Sequence, residues 1–166
     1  MKKVNRITIP LCLALLLSGQ PFAATSDRDQ PIQVEADGLE IRENENISVY
    51  TGNVRLEQGS LLIQADRMII HFNDDGELQL IEMDGDPARF RQTSDAKKEM
   101  LGEARHLEYH EAESLLVLDG DARFSSNGDT IESASIRINT DTNLIEAGST
   151  GPDERVRMVI QPRQNP

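Results

Sequence analysis

Cysteine and aromatic residues are scarce in this sequence. Its 166 residues include one Cys, no Trp, two Tyr and four Phe. A single thiol cannot form an internal disulfide, a cysteine zinc site or a paired redox motif, so these devices are excluded. The lack of Trp also disfavours a module that binds sugars on exposed aromatic platforms.

Basic residues are in short supply as well. The chain has 17 Lys and Arg against 29 Asp and Glu, which gives a formal net charge of −12. A protein that binds nucleic acid needs a basic face for the phosphates. The charge balance therefore argues against nucleic acid as a partner.

Long apolar runs are missing except at the N-terminus. Residues 7–17 are predominantly apolar, follow the basic Lys2, Lys3 and Arg6, and precede a small-residue end at residues 23–24. This order is typical of a secretory signal peptide, and the run is shorter than the roughly 20 residues of a spanning helix. We expect residues 1–24 to be removed, together with the one Cys, and residues 25–166 to form a single domain.

Catalytic motifs are absent too. The sequence has no Gly-x-Ser-x-Gly elbow and no phosphate-binding glycine loop. His106 and His110 would share one face of a helix, but the local pattern predicts a strand, which separates them by roughly 13 Å. Asp74, Asp75 and Glu77 lack the ligand spacing of a calcium loop, so a hairpin turn is expected there. We therefore predict no enzyme activity, no cofactor and no metal site.

The sequence does contain an internal repeat. A glycine-centred phrase occurs at residues 52–56 (GNVRL), 85–90 (GDPARF, with one extra residue) and 120–124 (GDARF), at spacings of 33 and 35 residues. A second phrase precedes each and occurs again later, as in residues 34–36 (VEA) and 63–65 (IQA). Four copies of one small unit therefore organise the chain.

Apolar and polar residues alternate within each unit, which predicts half-buried strands. The spacing of three between Ala36 and Leu39, and between Ala65 and Met68, changes the parity of the apolar face. Each strand must therefore bulge or bend at that point. The predicted fold class is all-β, with about a dozen or more short strands across residues 32–161.

Arginine recurs at one position of the glycine-centred phrases, as Arg55, Arg89 and Arg123. These residues lie on the face opposite the apolar side chains. Two interpretations are open: pairing with acidic residues on neighbouring strands, or contact with anionic headgroups or an acidic partner.

The apolar face is mainly aliphatic, with several Met residues. Such a face is typical of an ordinary packed core. A curved sheet lined by adaptable aliphatic side chains can also hold acyl chains. The alternation is the same in both cases, so both interpretations stay open at this point.

Six phrases follow one another in the order and spacing of the OstA-like family. They are residues 30–37 (QPIQVEAD), 50–54 (YTGNV), 64–66 (QAD), 87–90 (PARF), 102–104 (GEA) and 153–156 (DERV). The chain resembles the periplasmic lipopolysaccharide-export members of this family over essentially all of residues 25–166.

The resemblance implies a β-jellyroll of twisted, V-shaped antiparallel strands with an apolar groove. It implies a periplasmic protein that shields the lipid A acyl chains of lipopolysaccharide and catalyses nothing. Its expected partners are further copies joined head to tail, a bitopic subunit of the inner-membrane export complex, and the N-terminal domain of the outer-membrane lipopolysaccharide translocon.

The resemblance carries lipid-contacting roles over to Ile32, Val34 and Phe90. Alternation adds further candidates on the same face, which are Tyr50, Leu56, Met68, Ile70, Leu118 and Phe124. Two other functions stay open: a related OstA-like component, such as the periplasmic part of a membrane-anchored partner or scaffold, and a β-sandwich module that binds cell-wall glycans.

Overall fold

The computed structural model describes residues 27, 30–93, 98–148 and 155–162. The predicted signal peptide lies outside these residues, and within them no helix has the length and apolar character needed to cross a membrane. A short 3-10 turn covers Glu43–Glu45. The strands are β1 (Gln33–Glu35), β2 (Gly38–Arg42), β3 (Ile47–Gln58), β4 (Leu61–Phe72), β5 (Leu78–Thr93), β6 (Glu99–His110), β7 (Leu115–Ser126), β8 (Asp129–Asn139), β9 (Leu144–Gly148) and β10 (Arg157–Val159).

All ten strands belong to one antiparallel sheet. The long strands β3 to β8 lie side by side in chain order. β1 and β2 pair with the two halves of β3, and β10 and β9 pair with the two halves of β8. The sheet therefore has eight strand positions, with a divided strand at each edge. The described residues form ten strands, fewer than the dozen or more expected, because β3 to β8 continue through the bend.

A line of register shifts crosses the long strands near their middles and divides the sheet in two. Half-sheet A contains β1, β10 and the segments of β3 to β8 that pair on their side of the shifts; half-sheet B contains β2, β9 and the remaining segments. The shifts fall at Thr51/Val54, Gln64/Arg67, Asp84/Ala88, Glu103/His106 and Asp119/Ala122.

The bends expected from the change of parity are confirmed at these shifts. Gly52 and Gly120 have φ angles of 74° and 79°, and the residues that follow them, Asn53 and Asp121, are also in the left-handed region. Glycine adopts this conformation without the steric penalty of a Cβ atom. The repeated glycine-centred phrase therefore marks where a strand turns from one half-sheet into the other.

The inner faces of both half-sheets share a single apolar core. Its members include Leu56, Ile63 and Phe90 from half-sheet A, and Met68 and Leu107 from half-sheet B. Leu56 is 1% exposed and Met68 is 0% exposed, so the two half-sheets leave little room between them. The sheet thus folds over its own inner face and buries it.

The N-terminal segment is tied to the turn between β3 and β4. The Asp27 carboxylate accepts hydrogen bonds from the Ser60 backbone N–H at 2.9 Å, from the Ser60 hydroxyl at 2.5 Å and from Gln92 at 3.3 Å. The Ser60 hydroxyl bond outweighs the opposing effect of burial and lowers the pKa of Asp27. These bonds hold residue 27 at the strand ends of half-sheet A.

Candidate functional site

Inner side chains of neighbouring strands lie opposite one another and form continuous rows across the sheet. One row crosses half-sheet A, and two rows cross half-sheet B. The row of half-sheet A is Val34, Leu56, Ile63, Phe90, Gly102, Phe124, Ile131 and Met158. The rows of half-sheet B are Leu39, Tyr50, Met68, Met83, Leu107, Leu118, Ile136 and Ala147, and Ile41, Ser48, Ile70, Ile81, Tyr109, Leu116, Ile138 and Ile145.

The structure brings eight of the nine candidate residues together in this interior. Six of them belong to the buried core, and Val34 and Tyr50 are half-buried against it. Ile32 is the exception, because it precedes β1 and is 48% exposed. The eight interior candidates share one face, as the alternation predicted; the buried six are Leu56, Met68, Ile70, Phe90, Leu118 and Phe124.

Several interior residues were not among the candidates. Met83 lies opposite Met68, and Leu107 lies opposite Leu118. The register of the sheet places them in the same row, and they follow the same alternation in the sequence. A candidate list built by extending the alternation along every repeat would have included them.

Gly102 makes room for the largest rings of half-sheet A. A Cβ atom built on Gly102 would lie 1.9 Å from Cε1 of Phe90. The Phe90 ring therefore lies over the glycine, and it stacks with Phe124 at a centroid distance of 6.4 Å and an interplanar angle of 24°. Such offset ring pairs stabilise a core beyond the area that they bury.

At each edge of the sheet, two of the three apolar rows end on exposed side chains. At the first edge they end on Leu39 and Ile41, which are 57% and 63% exposed. At the last edge they end on Ile145 and Met158, which are 37% and 54% exposed. Because the rows end on exposed apolar side chains, the interior is open toward a neighbour at each edge.

The interior is closed at its centre. Met83, Leu107, Leu118 and Ile136 are at most 1% exposed. Met83 is the most adaptable of these side chains, since Met has three rotatable bonds and a polarizable sulfur. A guest placed between the half-sheets would have to separate them and replace these contacts.

The outer face of half-sheet A carries a row of alternating charges. Arg89 Nε contacts Glu103 at 3.3 Å, and Arg123 Nη1 contacts Glu132 at 3.1 Å on the neighbouring strand. Arg55 pairs with Glu57 along its own strand. The interpretation of the repeated arginines as partners for acidic residues on neighbouring strands is confirmed for Arg89 and Arg123, but Arg55 pairs within its own strand.

A second polar network lies on the outer face of half-sheet B. His106 contacts Asp84 through Nδ1 at 2.7 Å and Glu108 through Nε2 at 3.1 Å, and His110 Nε2 contacts the other oxygen of Glu108 at 2.9 Å. Burial works against the charge on His106, but the bonds to Asp84 and Glu108 outweigh it and raise its pKa. Burial likewise opposes ionisation of Glu108, but bonds from His110 and His106 prevail and lower its pKa.

The strand predicted around His106 and His110 is confirmed as β6, with both side chains on the outer face. Glu108 lies between them in sequence and bridges the two rings. Among the described residues, no group of three His, Cys, Asp or Glu side chains is arranged to hold a metal ion. The region of Asp74 and Asp75 is the turn between β4 and β5, closed by hydrogen bonds between Asn73 and Glu77.

A single antiparallel sheet, bent over an apolar interior and with no further described strand paired at either edge, defines the class of open β-jellyrolls. The family model described as "LptA/(LptD N-terminal domain) LPS transport protein" matches residues 33–144. The chain belongs to this family of lipopolysaccharide transport proteins.

Curated relatives match over nearly the full chain. The lipopolysaccharide export system protein LptH of Pseudomonas aeruginosa is 30% identical over 174 residues, covering 99% of this chain and 98% of the relative. The lipopolysaccharide export system protein LptA of Escherichia coli K12 is 33% identical over 167 residues, covering 98% of this chain and 89% of the relative.

A solved structure supports the same fold. The crystal structure of P. aeruginosa LptH, described as the LptA homologous periplasmic component of the lipopolysaccharide transport device, superposes with a TM-score of 0.75 at 28% identity. It covers 83% of this chain and all of that chain. The predicted all-β jellyroll of the OstA-like family is therefore confirmed.

Proposed function

We propose that this protein carries lipopolysaccharide through the periplasm by sheltering the lipid A acyl chains between half-sheets A and B. The observation that carries the proposal is the set of three apolar rows that cross the sheet, two of which end on exposed side chains at each edge. Family membership and the periplasmic relative support the same role. The predicted signal peptide, residues 1–24, would deliver the chain to that compartment.

The hydrophobic effect makes the transfer of acyl chains from water to an apolar interior strongly favourable. Removing one methylene from water stabilises it by about 0.8 kcal/mol, so ten methylenes of one acyl chain amount to roughly 8 kcal/mol. A lipid with several chains therefore does not cross water unaided at a useful rate. The role requires binding and release of a lipid, and it needs no catalytic group.

The two edges of the sheet would allow a second copy of the protein to extend the lipid path. The first and eighth strand positions of an antiparallel sheet run in opposite directions. A second copy placed beside the β9–β10 edge would thus continue the antiparallel alternation with its own β1–β2 edge. Strand addition at exposed edges is an established mode of association.

The same edges suit the partners implied by the family resemblance. We infer that one edge meets the bitopic subunit of the inner-membrane export complex and the other meets the N-terminal domain of the outer-membrane translocon. Copies joined head to tail would fill the distance between them. Each junction would prolong the apolar rows from one domain to the next.

Site-specific photo-crosslinking tests the proposal. A benzophenone side chain is placed at Phe90, inside the interior, or at Arg123, on the outer face of the same half-sheet. Purified protein is illuminated with lipopolysaccharide, and the adduct is detected by its mass on a gel. We expect an adduct from position 90 and none from position 123.

A labelled outer position with an unlabelled interior position would contradict the proposal. Circular dichroism of each variant establishes that the fold is intact. If neither position is labelled in folded protein, the interior is a closed core and the glycan-binding or scaffold function becomes the better account.

A further inference from the structure

A second concave surface lies on the outer face of half-sheet A, separated from the interior by the sheet itself. Its volume is about 400 Å³. Residues of β4 to β7 line it, and Phe90 and Gly102 contribute to the lining. We call it the outer groove, and its walls include Leu62, Arg89, Arg91, Leu101, Glu103 and Arg123.

Leu101 is an unusual residue for such a position. It is 41% exposed on a central strand. Every other strongly exposed large aliphatic side chain in the described part of the chain lies in or beside the edge strands β1, β2, β9 and β10. Leu101 and its neighbour Leu62, which flank Arg91 in the register of the sheet, therefore form an apolar spot far from either edge.

Arg91 supplies the polar part of the groove. Unlike Arg89 and Arg123, it forms no ion pair with any residue that the structure describes. The walls carry three arginines against the single Glu103, on a chain whose net charge is −12. The guanidinium of Arg91 is thus free to bind a carboxylate through two parallel hydrogen bonds.

The charge pattern selects among possible anions. A membrane surface or another dense array of phosphates would meet Glu57, Glu103 and Glu132 as well as the arginines. Like charges placed close together are unfavourable, so the alternating row disfavours densely charged partners. An isolated carboxylate beside aliphatic side chains matches both the free guanidinium and the leucines.

We propose that the outer groove binds an extended peptide segment of a partner protein, in which an acidic residue for Arg91 stands beside an aliphatic residue for Leu101. The groove crosses the four strands β4 to β7, which suits a polypeptide laid over the sheet. Lipid chains held between the half-sheets do not reach it, because the sheet lies between the two surfaces. The site is therefore independent of the proposed lipid path.

Nuclear magnetic resonance with defined peptides tests the proposal. The probes are a capped pentapeptide of sequence Ala-Leu-Asp-Leu-Ala and its Asn counterpart, titrated into full-length mature protein. We expect saturable shifts of the Leu101 methyl and Arg91 side-chain resonances with the Asp peptide. Binding should weaken about tenfold or more with the Asn peptide and with Arg91→Gln, as the loss of a charge-assisted bond implies.

Arg137→Gln is the matched control, since Arg137 is an exposed outer-face arginine in half-sheet B. It should leave peptide affinity unchanged. Equal affinity for both peptides, an unchanged affinity in the Arg91→Gln protein, or no shift at millimolar peptide would overturn the proposal. Stronger shifts of the same resonances with soluble dihexanoyl phosphatidylglycerol than with the Asp peptide would also overturn it, in favour of a lipid headgroup.

Discussion

At the scale of single residues, the packing of Phe90 depends on the missing side chain at position 102. Gly102→Ala would place a methyl group 1.9 Å from the ring, which is held by Phe124 and is only 7% exposed. Overpacking of this kind typically destabilises a core by about 1–3 kcal/mol. Urea denaturation of the variant should show a loss of that size.

Gly148→Ala provides the comparison for this prediction. A Cβ atom on Gly148 meets nothing within 4 Å. The free energy of unfolding of the Gly148→Ala variant should therefore differ from that of the natural protein by well under 1 kcal/mol. Equal losses in the two variants would mean that the Phe90 ring does not depend on the space over Gly102.

The polar network around His106 predicts a dependence of stability on pH. Because the folded pKa of His106 lies above its ordinary value of 6.5, its contribution is complete below 6.5 and is lost as pH rises through the folded value. The groups that face it are Asp84 on β5, Glu108 on its own strand and Asp119 on β7. For a partly exposed pair the effect should be about 0.2–1 kcal/mol.

The measurement is the difference in unfolding free energy between the natural protein and His106→Gln. This difference should shrink as pH rises from acidic to alkaline across neutrality. A difference that stays constant or grows over the same range would contradict the assigned role of the imidazolium. The titration of the His106 ring, followed by nuclear magnetic resonance, gives the folded pKa directly.

At the scale of secondary structure elements, the edge strands predict how copies associate. Ile145 ends one inner row on β9 and is exposed, so a lysine there would place a charge in the proposed junction. Ile145→Lys should shift the protein toward monomer in analytical ultracentrifugation. Gln79→Lys adds the same charge at an exposed position near the start of β5 and should leave the distribution unchanged.

A natural protein that is monomeric at all accessible concentrations would contradict self-association through the edges. A natural protein that associates, but equally well with Ile145→Lys, would place the junction elsewhere.

The strands show which features of the fold can be predicted from the sequence alone. The spacing of three between Ala65 and Met68 predicted the bend, because a change of parity forces a bulge wherever one face is buried. It did not predict that the strands would continue through the bend. The bulge interrupts only a few ladder hydrogen bonds, so each pair of predicted short strands is one long strand.

The sequence predicted only part of the candidate site, because alternation assigns a side chain to a face of the sheet but does not say what packs against that face. Alternation assigns Leu118 and Phe124 to the inner face whether or not the half-sheets touch, so it could not predict the closed centre. The Glu108 bridge between His106 and His110 depends on side-chain conformations that spacing does not encode. Ile32 lies before the first strand, where alternation gives no information on burial.

At the scale of the whole molecule, one sheet separates two different surfaces. The inner face is apolar and reaches both edges of the sheet with exposed apolar side chains, while the outer face carries paired charges and the outer groove. The proposed lipid path and the proposed peptide-binding surface would therefore not compete for the same side chains. If lipid binds as proposed, the net charge of −12 favours retention mainly by the acyl chains, so binding should depend weakly on salt.

Because the centre of the interior is closed, the proposed function requires that acyl chains enter by separating the half-sheets. Glu99 begins β6 in half-sheet A, Glu113 lies in the turn that follows β6 at the end of half-sheet B, and both are exposed. The one Cys of the chain lies within residues 1–24. In a protein that starts at residue 25, the substitutions Glu99→Cys and Glu113→Cys therefore introduce the only two cysteines, and both can carry spin labels.

The most direct measurement is the distance between these two labels by double electron–electron resonance, with and without lipopolysaccharide. We expect a longer mean distance when lipopolysaccharide is bound, and no change with the deacylated form. An unchanged distance at saturating lipopolysaccharide would contradict entry between the half-sheets.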